Sequence, residues 1–255
     1  MSAPLLALLQ LSDSAFPSGG FAHSYGLEQA LNQRIITALD EVESFVRSVL
    51  TQGAATSDAR AAYAACDAVR DGDVTRIVAA DLSLYRTKAA AELREACVQT
   101  GRRLINETAV HLAEPILQAY AGRVASGEAP GCHPVAFGVI GGVLGVAPSD
   151  AASALLLGTA NALLQAAMRL GRISHRDTQA ILHRLRPLIA GVDAVAPNDP
   201  SSWRTGAPLT LTLSLEGEGI GRPDEAIAGE LRAYHPLQEI ASMRHERAEA
   251  RLFAS

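Results

Sequence analysis

The chain has 255 residues, room for one large domain or two small ones, and 48% of them are hydrophobic. A net charge of −5 and a pI near 5.8 exclude nucleic-acid binding through a global positive field. Three widely spaced cysteines, Cys66, Cys97 and Cys132, exclude a disulfide framework and fit a reducing compartment. Aromatic residues make up only 4%, so the core is expected to be built from Ala, Leu, Val and Ile, which suits close helix packing. The first residues carry no basic n-region and their apolar run is broken by Gln10, so a cytoplasmic protein is expected.

The chain then reads as a series of helices. Pro4 to Leu11 is a short one, with Pro in its first turn. Pro17, Gly19 and Gly20 demand a sharp turn, and a second helix is expected from about Phe21 to Asn32. Asp40 and Glu43 have the spacing of a capping box, and Val42, Phe45, Val46 and Val49 follow on one face. Gly53 breaks that helix. Asp58 to Arg70 is alanine-rich and ends at Asp71-Gly72-Asp73.

Leu82 to Glu107 is the longest periodic stretch and is expected as one helix, with Lys88 in its middle and Leu93, Cys97 and Leu104 along one stripe. Pro115 ends or kinks the next helix, and Ser126 to Pro134 is a loop by composition. His133 to Leu170 holds two apolar segments separated by Pro148-Ser149-Asp150, with Ser149 or Asp150 as cap. The first is too short for a bilayer, where about 20 apolar residues are needed. The second carries Thr159, Asn161, Gln165 and Arg169, so a buried helical hairpin is expected rather than a membrane hairpin. Ser174 to Ile189 is a further amphipathic helix. Residues 198–234 read as an irregular insertion, with one alternating run at Leu209 to Leu215. The sum is an all-α single domain over residues 1–255, a bundle of about eight to ten helices with that insertion before a C-terminal tail at 238–255.

Little in the sequence carries catalytic chemistry. No phosphate-cradling glycine loop precedes Lys88, the only lysine, which excludes an NTPase site. Asp13, Ser14, Ser18 and His23 crowd together, but no strained nucleophile elbow of the G-x-S-x-G kind is present. Helix caps and turn contacts explain the serines and Asp13 better. A small helical hydrolase using Ser14 or Ser18 with His23 is the alternative. Cys132 and His133 lack further ligands in sequence, so no fixed metal site is expected. Arg94, Glu95, Arg102 and Arg103 mark a polar helix face that is either solvated or a docking surface. The end of the chain sets Met243, Leu252 and Phe253 beside arginines, as in a segment that orders on a partner.

Four stretches resemble the urease accessory protein UreF family. Leu9-Gln10-Leu11-x-Asp13-Ser14-x-x-Pro17-x-Gly19-Gly20-Phe21-x-His23-Ser24-x-Gly26-Leu27-Glu28 is similar to its N-terminal signature. Glu92-Leu93-Arg94-Glu95-Ala96 with Gly101-Arg102-Arg103-Leu104 is similar to its central helix, and His133-Pro134-x-x-Phe137-Gly138 to its glycine-rich hairpin. Ser242-Met243-Arg244-His245-Glu246 and Arg251-Leu252-Phe253-x-Ser255 are similar to its tail. The resemblance implies a non-enzymatic helical homodimer. It implies a complex with a UreD (or UreH) accessory protein and the GTPase UreG, delivering nickel to apo-urease. The expected contact residues are Asp13, Ser14, Pro17, Gly19, Gly20, His23, Ser24 and Glu28 at the opening turn. Glu92, Arg94, Glu95, Arg102 and Arg103 supply the central face, and Ser242, Met243, Arg244, His245, Glu246, Arg251, Leu252 and Phe253 the tail. No catalytic or metal-ligating residue and no intrinsic cofactor are expected; nickel and GTP belong to the complex. Neither nucleic acid nor membrane is expected as a partner. The connection at 198–234 departs from the family pattern.

Overall fold

The computed structural model describes residues 2–13, 16, 24–191 and 236–245. Among them are eleven α-helices and no strand, in agreement with the all-α expectation. They are α1 (Ala3–Leu11), α2 (Leu27–Asn32), α3 (Leu39–Ser48), α4 (Asp58–Arg70), α5 (Val74–Thr87) and α6 (Ala91–Ala109). Then follow α7 (Pro115–Ala125), α8 (His133–Val143), α9 (Pro148–Arg169), α10 (His175–Ala190) and α11 (Pro236–His245). A π-helical segment, Val49–Ala54, continues α3 and carries Gly53 inside it, so Gly53 falls within a widened turn rather than at a clean break. The 198–234 insertion, with its alternating run, lies outside the described residues.

Two apolar cores share a wall. The first gathers α5, α6, α7 and α8, with Leu84, Leu104, Leu117 and Ile140 among its buried side chains. The second gathers α2, α3, the π segment and α10, with Leu31, Leu50 and Ile181. Helices α4 and α9 contribute to both: Ala61, Ala62 and Leu155 face the first core, and Ala59, Leu156 and Leu163 the second. The alanines of α4 leave room on both sides of the helix, and α8 and α9 use it. A Cβ on Gly138 of α8 would overlap the main-chain carbonyl of Ala62, so the two backbones touch there. A Cβ on Gly142, one turn on, would lie 2.9 Å from Cys66 O and from Val69 Cβ. The expected hairpin of α8 and α9 is therefore present and its first arm is buried. α9 has the length and hydropathy of a membrane span, yet 56% of its most apolar window is buried inside the protein.

Several local expectations are corrected. α2 starts at Leu27, not Phe21: Tyr25 and Gly26 take left-handed backbone angles (φ 50° and 83°), which interrupt any helix there. The capping box of α3 sits two residues earlier. Its N-cap is Ala38, and the Glu41 carboxylate accepts from Thr37 N (2.7 Å) and Ala38 N (3.0 Å). Glu43, freed from capping, takes two hydrogen bonds from Arg184 of α10 at 2.9 and 2.6 Å. The 82–107 stretch is two helices: Lys88 is extended (ψ 99°) and ends α5. Pro115 starts α7 instead of ending a helix, and the N-cap of α9 is Ala147. Cys132 and His133 are not in a loose loop. Cys132 is the N-cap of α8, fully buried, and His133 its first residue.

The loop into α8 is fixed by one carboxylate. Asp81 on α5 has no exposed surface and accepts from Tyr120 Oη (2.8 Å), Gly131 N (2.7 Å) and Cys132 N (2.9 Å). A Gly-, Pro- and Ser-rich segment thus holds a single shape because a buried acceptor gathers its amides.

Candidate functional site

The segment that follows the opening turn, the central helix and the helix that begins the tail, far apart in sequence, meet in space. α11 packs against α2 and α6. A Cβ on Gly26 would lie 2.8 Å from Gln238 O and 3.0 Å from Ser242 Oγ, so only glycine admits α11 at this distance. Ser24 and Ser242 are fully buried and Glu28 nearly so, all within the chain itself. Met243 is 42% exposed, and Arg244 donates to Gln33 Oε1 at 2.8 Å across the α11–α2 seam. Asp13 closes the C-terminal end of α1, its carbonyl accepting from Phe16 N at 3.0 Å. Ser14, Pro17, Gly19, Gly20, His23, Glu246, Arg251, Leu252 and Phe253 lie outside the described residues, as does the side chain of His245.

Beneath this junction lies a pocket of about 80 Å³. Tyr25, Gly53 of the π segment, Asp58, Lys88, Cys97, His133 and Gln238 line it. Lys88 Nζ pairs with Asp58 Oδ1 at 2.8 Å, both side chains mostly shielded. Burial is the largest influence and works against the lysine charge, but the Asp58 carboxylate, through its charge and hydrogen bond, and the neighbouring cysteines together raise the pKa. This pair explains why α5 stops where it does. Lys88 must leave the helix to reach the first residue of α4, and Arg94 Nη1 caps its freed carbonyl at 2.8 Å. Burial also pushes the Tyr25 hydroxyl pKa up. None of Tyr25, Asp58, Lys88 or Cys97 was among the expected contacts. The one signal was compositional: a single lysine in a chain that otherwise uses arginine.

The central face divides. Glu92 is buried, while Glu95, Arg102 and Arg103 are exposed. Arg94 stacks over Tyr85 at 5.5 Å from the ring centre, and Arg102 Nε donates to Pro130 O at 3.0 Å. Between them runs an open groove of about 480 Å³, with Leu82, Val98 and Ala129 among its apolar walls and Glu95 and Arg102 on its rim. Among the described residues, no group of three or more His, Cys, Asp or Glu side chains is placed to hold a metal ion.

Comparison with known proteins bears on the whole arrangement. The UreF family model matches residues 36–186. The chain is 36% identical over 211 residues to urease accessory protein UreF 2 of Brucella canis, covering 82% of this chain and 86% of that one. It is 32% identical over 250 residues to urease accessory protein UreF of Paenarthrobacter aurescens, covering 98% and 97%. It is 29% identical over 251 residues to that of Bacillus sp. TB-90, covering 98% and 99%. These are accessory proteins, which removes the ground for a hydrolase built on Ser14, Ser18 and His23. With most of its length matched, the chain belongs to the UreF family of urease accessory proteins, which act in urease maturation and are not enzymes.

Proposed function

We propose that this protein bridges a UreD/UreH-like accessory protein and a UreG-like GTPase, and regulates GTP-dependent delivery of nickel to the urease apoprotein. It does so as a homodimer in the cytoplasm. Nickel is cargo and GTP is the GTPase's substrate; this chain supplies surfaces and holds no cofactor of its own.

The observation that carries the reading is the α6 groove. Its rim bears both signs of charge, its walls are apolar, and it is open along one side. A merely solvated helix face lacks apolar walls; a docking surface combines them with arginine. Glu95 lines it and Arg103 is exposed on the same helix, both with no structural duty among the described contacts, so they suit partner recognition. The exposed leucines of α1, Leu5, Leu6 and Leu9, at 44, 50 and 56% exposure, support a second, self-complementary surface for the homodimer.

The test is charge reversal. Glu95→Arg with Arg103→Glu should leave the thermal midpoint unchanged and abolish co-purification with a UreD-like or a UreG-like partner, together with urease activation in cells. Full co-purification and activation by the double variant would remove the groove from the reading. The tail is tested separately by ending the chain after His245, which retains α11. Loss of the UreD-like partner is expected, and normal binding would show that Glu246 to Ser255 are not contacts.

A further inference from the structure

α10 closes the second core with one face and turns a basic face outward. Thr178, Ile181, Leu182, Leu185 and Ile189 are its buried residues. Arg172, just before the helix, is exposed, as are His175, Arg176, His183, Arg184 and Arg186 on it. Arg176 and His183 lie two turns apart on one side, and Arg186 follows three residues later. Residues 172–186 carry four arginines against Asp177 alone, a charge of +3 in a protein of net charge −5, which leaves −8 for the rest of the chain.

Neighbouring carboxylates do not cancel this charge. Asp177 feels Arg176, but its oxygen accepts from Ser174 N and Oγ at 2.9 and 2.6 Å. Glu43 of α3 takes Arg184 and also accepts from Arg47 at 3.2 Å, so one carboxylate serves two guanidinium groups. Arg172 and Arg186 make no ion pair among the described residues. α10 exposes no large apolar side chain, so whatever seats on this face is held by charge and released by salt.

The complementary charge belongs to the same chain. Residues 192–235, outside the described residues, join the end of α10 to the start of α11. Their sequence holds seven carboxylates against three arginines, and five of the seven fall within 216–230, where Arg222 is the only positive residue. The connection leaves from α10 itself and returns at α11, which packs on α2, a member with α10 of the second core. Tethering at both ends makes the encounter intramolecular, which favours this stretch over an acidic surface arriving from solution. Nucleic acid or an anionic membrane fits worse. Either extends well beyond one helix face and would meet the remaining −8 of the chain.

We propose that the outer face of α10 is a docking surface for the acidic stretch 216–230 of the same chain, with Arg172, Arg176 and Arg186 as the guanidinium groups that hold its carboxylates. The surface is separate from the α6 groove, whose helices line the first core, so each can fail without the other.

The scarcity of lysine makes the test direct. Lys88 is shielded and paired with Asp58, so Arg176→Lys or Arg186→Lys in the full chain adds one accessible side-chain amine and keeps the charge. A zero-length carbodiimide joins that amine to carboxylates in contact with it, and peptide mapping identifies them. Mixing isotope-labelled and unlabelled chains tells links within a chain from links between copies. At low ionic strength, same-chain links to 216, 218, 224, 225 or 230 are expected, and about 0.5 M sodium chloride should abolish them. Links to Glu43 or Asp177 alone would overturn the proposal. Links only between labelled and unlabelled chains would overturn it in favour of a second copy. Capture of an added Glu-Ala repeat peptide, with no link to 216–230, would overturn it in favour of a separate acidic protein. A second readout needs no added amine. A protease that cuts after glutamate should release fragments ending within 216–230 severalfold faster from Arg172→Glu/Arg176→Glu/Arg186→Glu than from the unmodified chain, at equal thermal midpoint. Equal rates at equal midpoint would also overturn the proposal.

Discussion

At the scale of single residues, two positions control more structure than their size suggests. Asp81 holds three buried donors, one of them on the N-cap of α8. Asp81→Ala should cost about 3 kcal/mol or more, since buried donors lose their acceptor together. Asp81→Asn keeps one acceptor oxygen and should cost less; urea titration followed by circular dichroism separates the two. Gly138→Ala should destabilise by about 1–3 kcal/mol, because the added methyl meets a backbone. Its measurement is a fall in thermal midpoint. Arg60 tests the opposite sign. It is 4% exposed, two of its guanidinium nitrogens have no hydrogen-bond partner among the described residues, and burial lowers its pKa. Arg60→Met should raise the unfolding free energy by about 1 kcal/mol, as replacing a buried charge with an apolar side chain often does. A fall would mean that the arginine has a partner in the assembly. The sequence disclosed the residue types here but not their partners. The Gly138 motif was visible; that Ala62 stands behind it was not, because 76 positions separate the two.

At the scale of elements, short-range physics was legible and long-range pinning was not. α4, α10 and the α8–α9 hairpin follow from caps, periodicity and turn residues within a few positions of one another. The division of α5 from α6 does not. Lys88 has good helix propensity, and only Asp58, thirty residues earlier, pulls it out of the helix. The loop into α8 reads as irregular by composition and is ordered by Asp81, fifty residues away. Capping carboxylates make the elements sensitive to acid. Glu41 is held below 4.5 by hydrogen bonds from Thr37 and Ala38, and Asp177 below 3.8 by those from Ser174. The unfolded chain therefore binds those protons more tightly. The support they give is complete above their ordinary values and is lost as pH falls through the folded ones. Thermal midpoints recorded between about pH 6 and pH 3 should fall, and Glu41→Gln should flatten the decline.

At the scale of the molecule, α4 and α9 belong to both cores, so neither core can empty without exposing the other's wall. Unfolding should follow one transition, with helix loss by circular dichroism and exposure of Cys66 to thiol reagent coinciding in denaturant. Separated curves would show two independent halves. The meeting of α2, α6 and α11 was foreseeable only as three motifs. Their adjacency depends on α11 crossing Gly26, which no local pattern encodes. The α4–α8 crossing also has a genetic consequence. At Gly138 the obstruction is a main-chain carbonyl, present whatever side chain Ala62 carries, so no substitution on α4 can restore the lost space. At Gly131 the left-handed backbone (φ 82°) strains any side chain, whatever space smaller residues at Val124 or Arg102 would open. Second-site revertants of urease maturation defects should therefore be absent from α4 for Gly138→Ala.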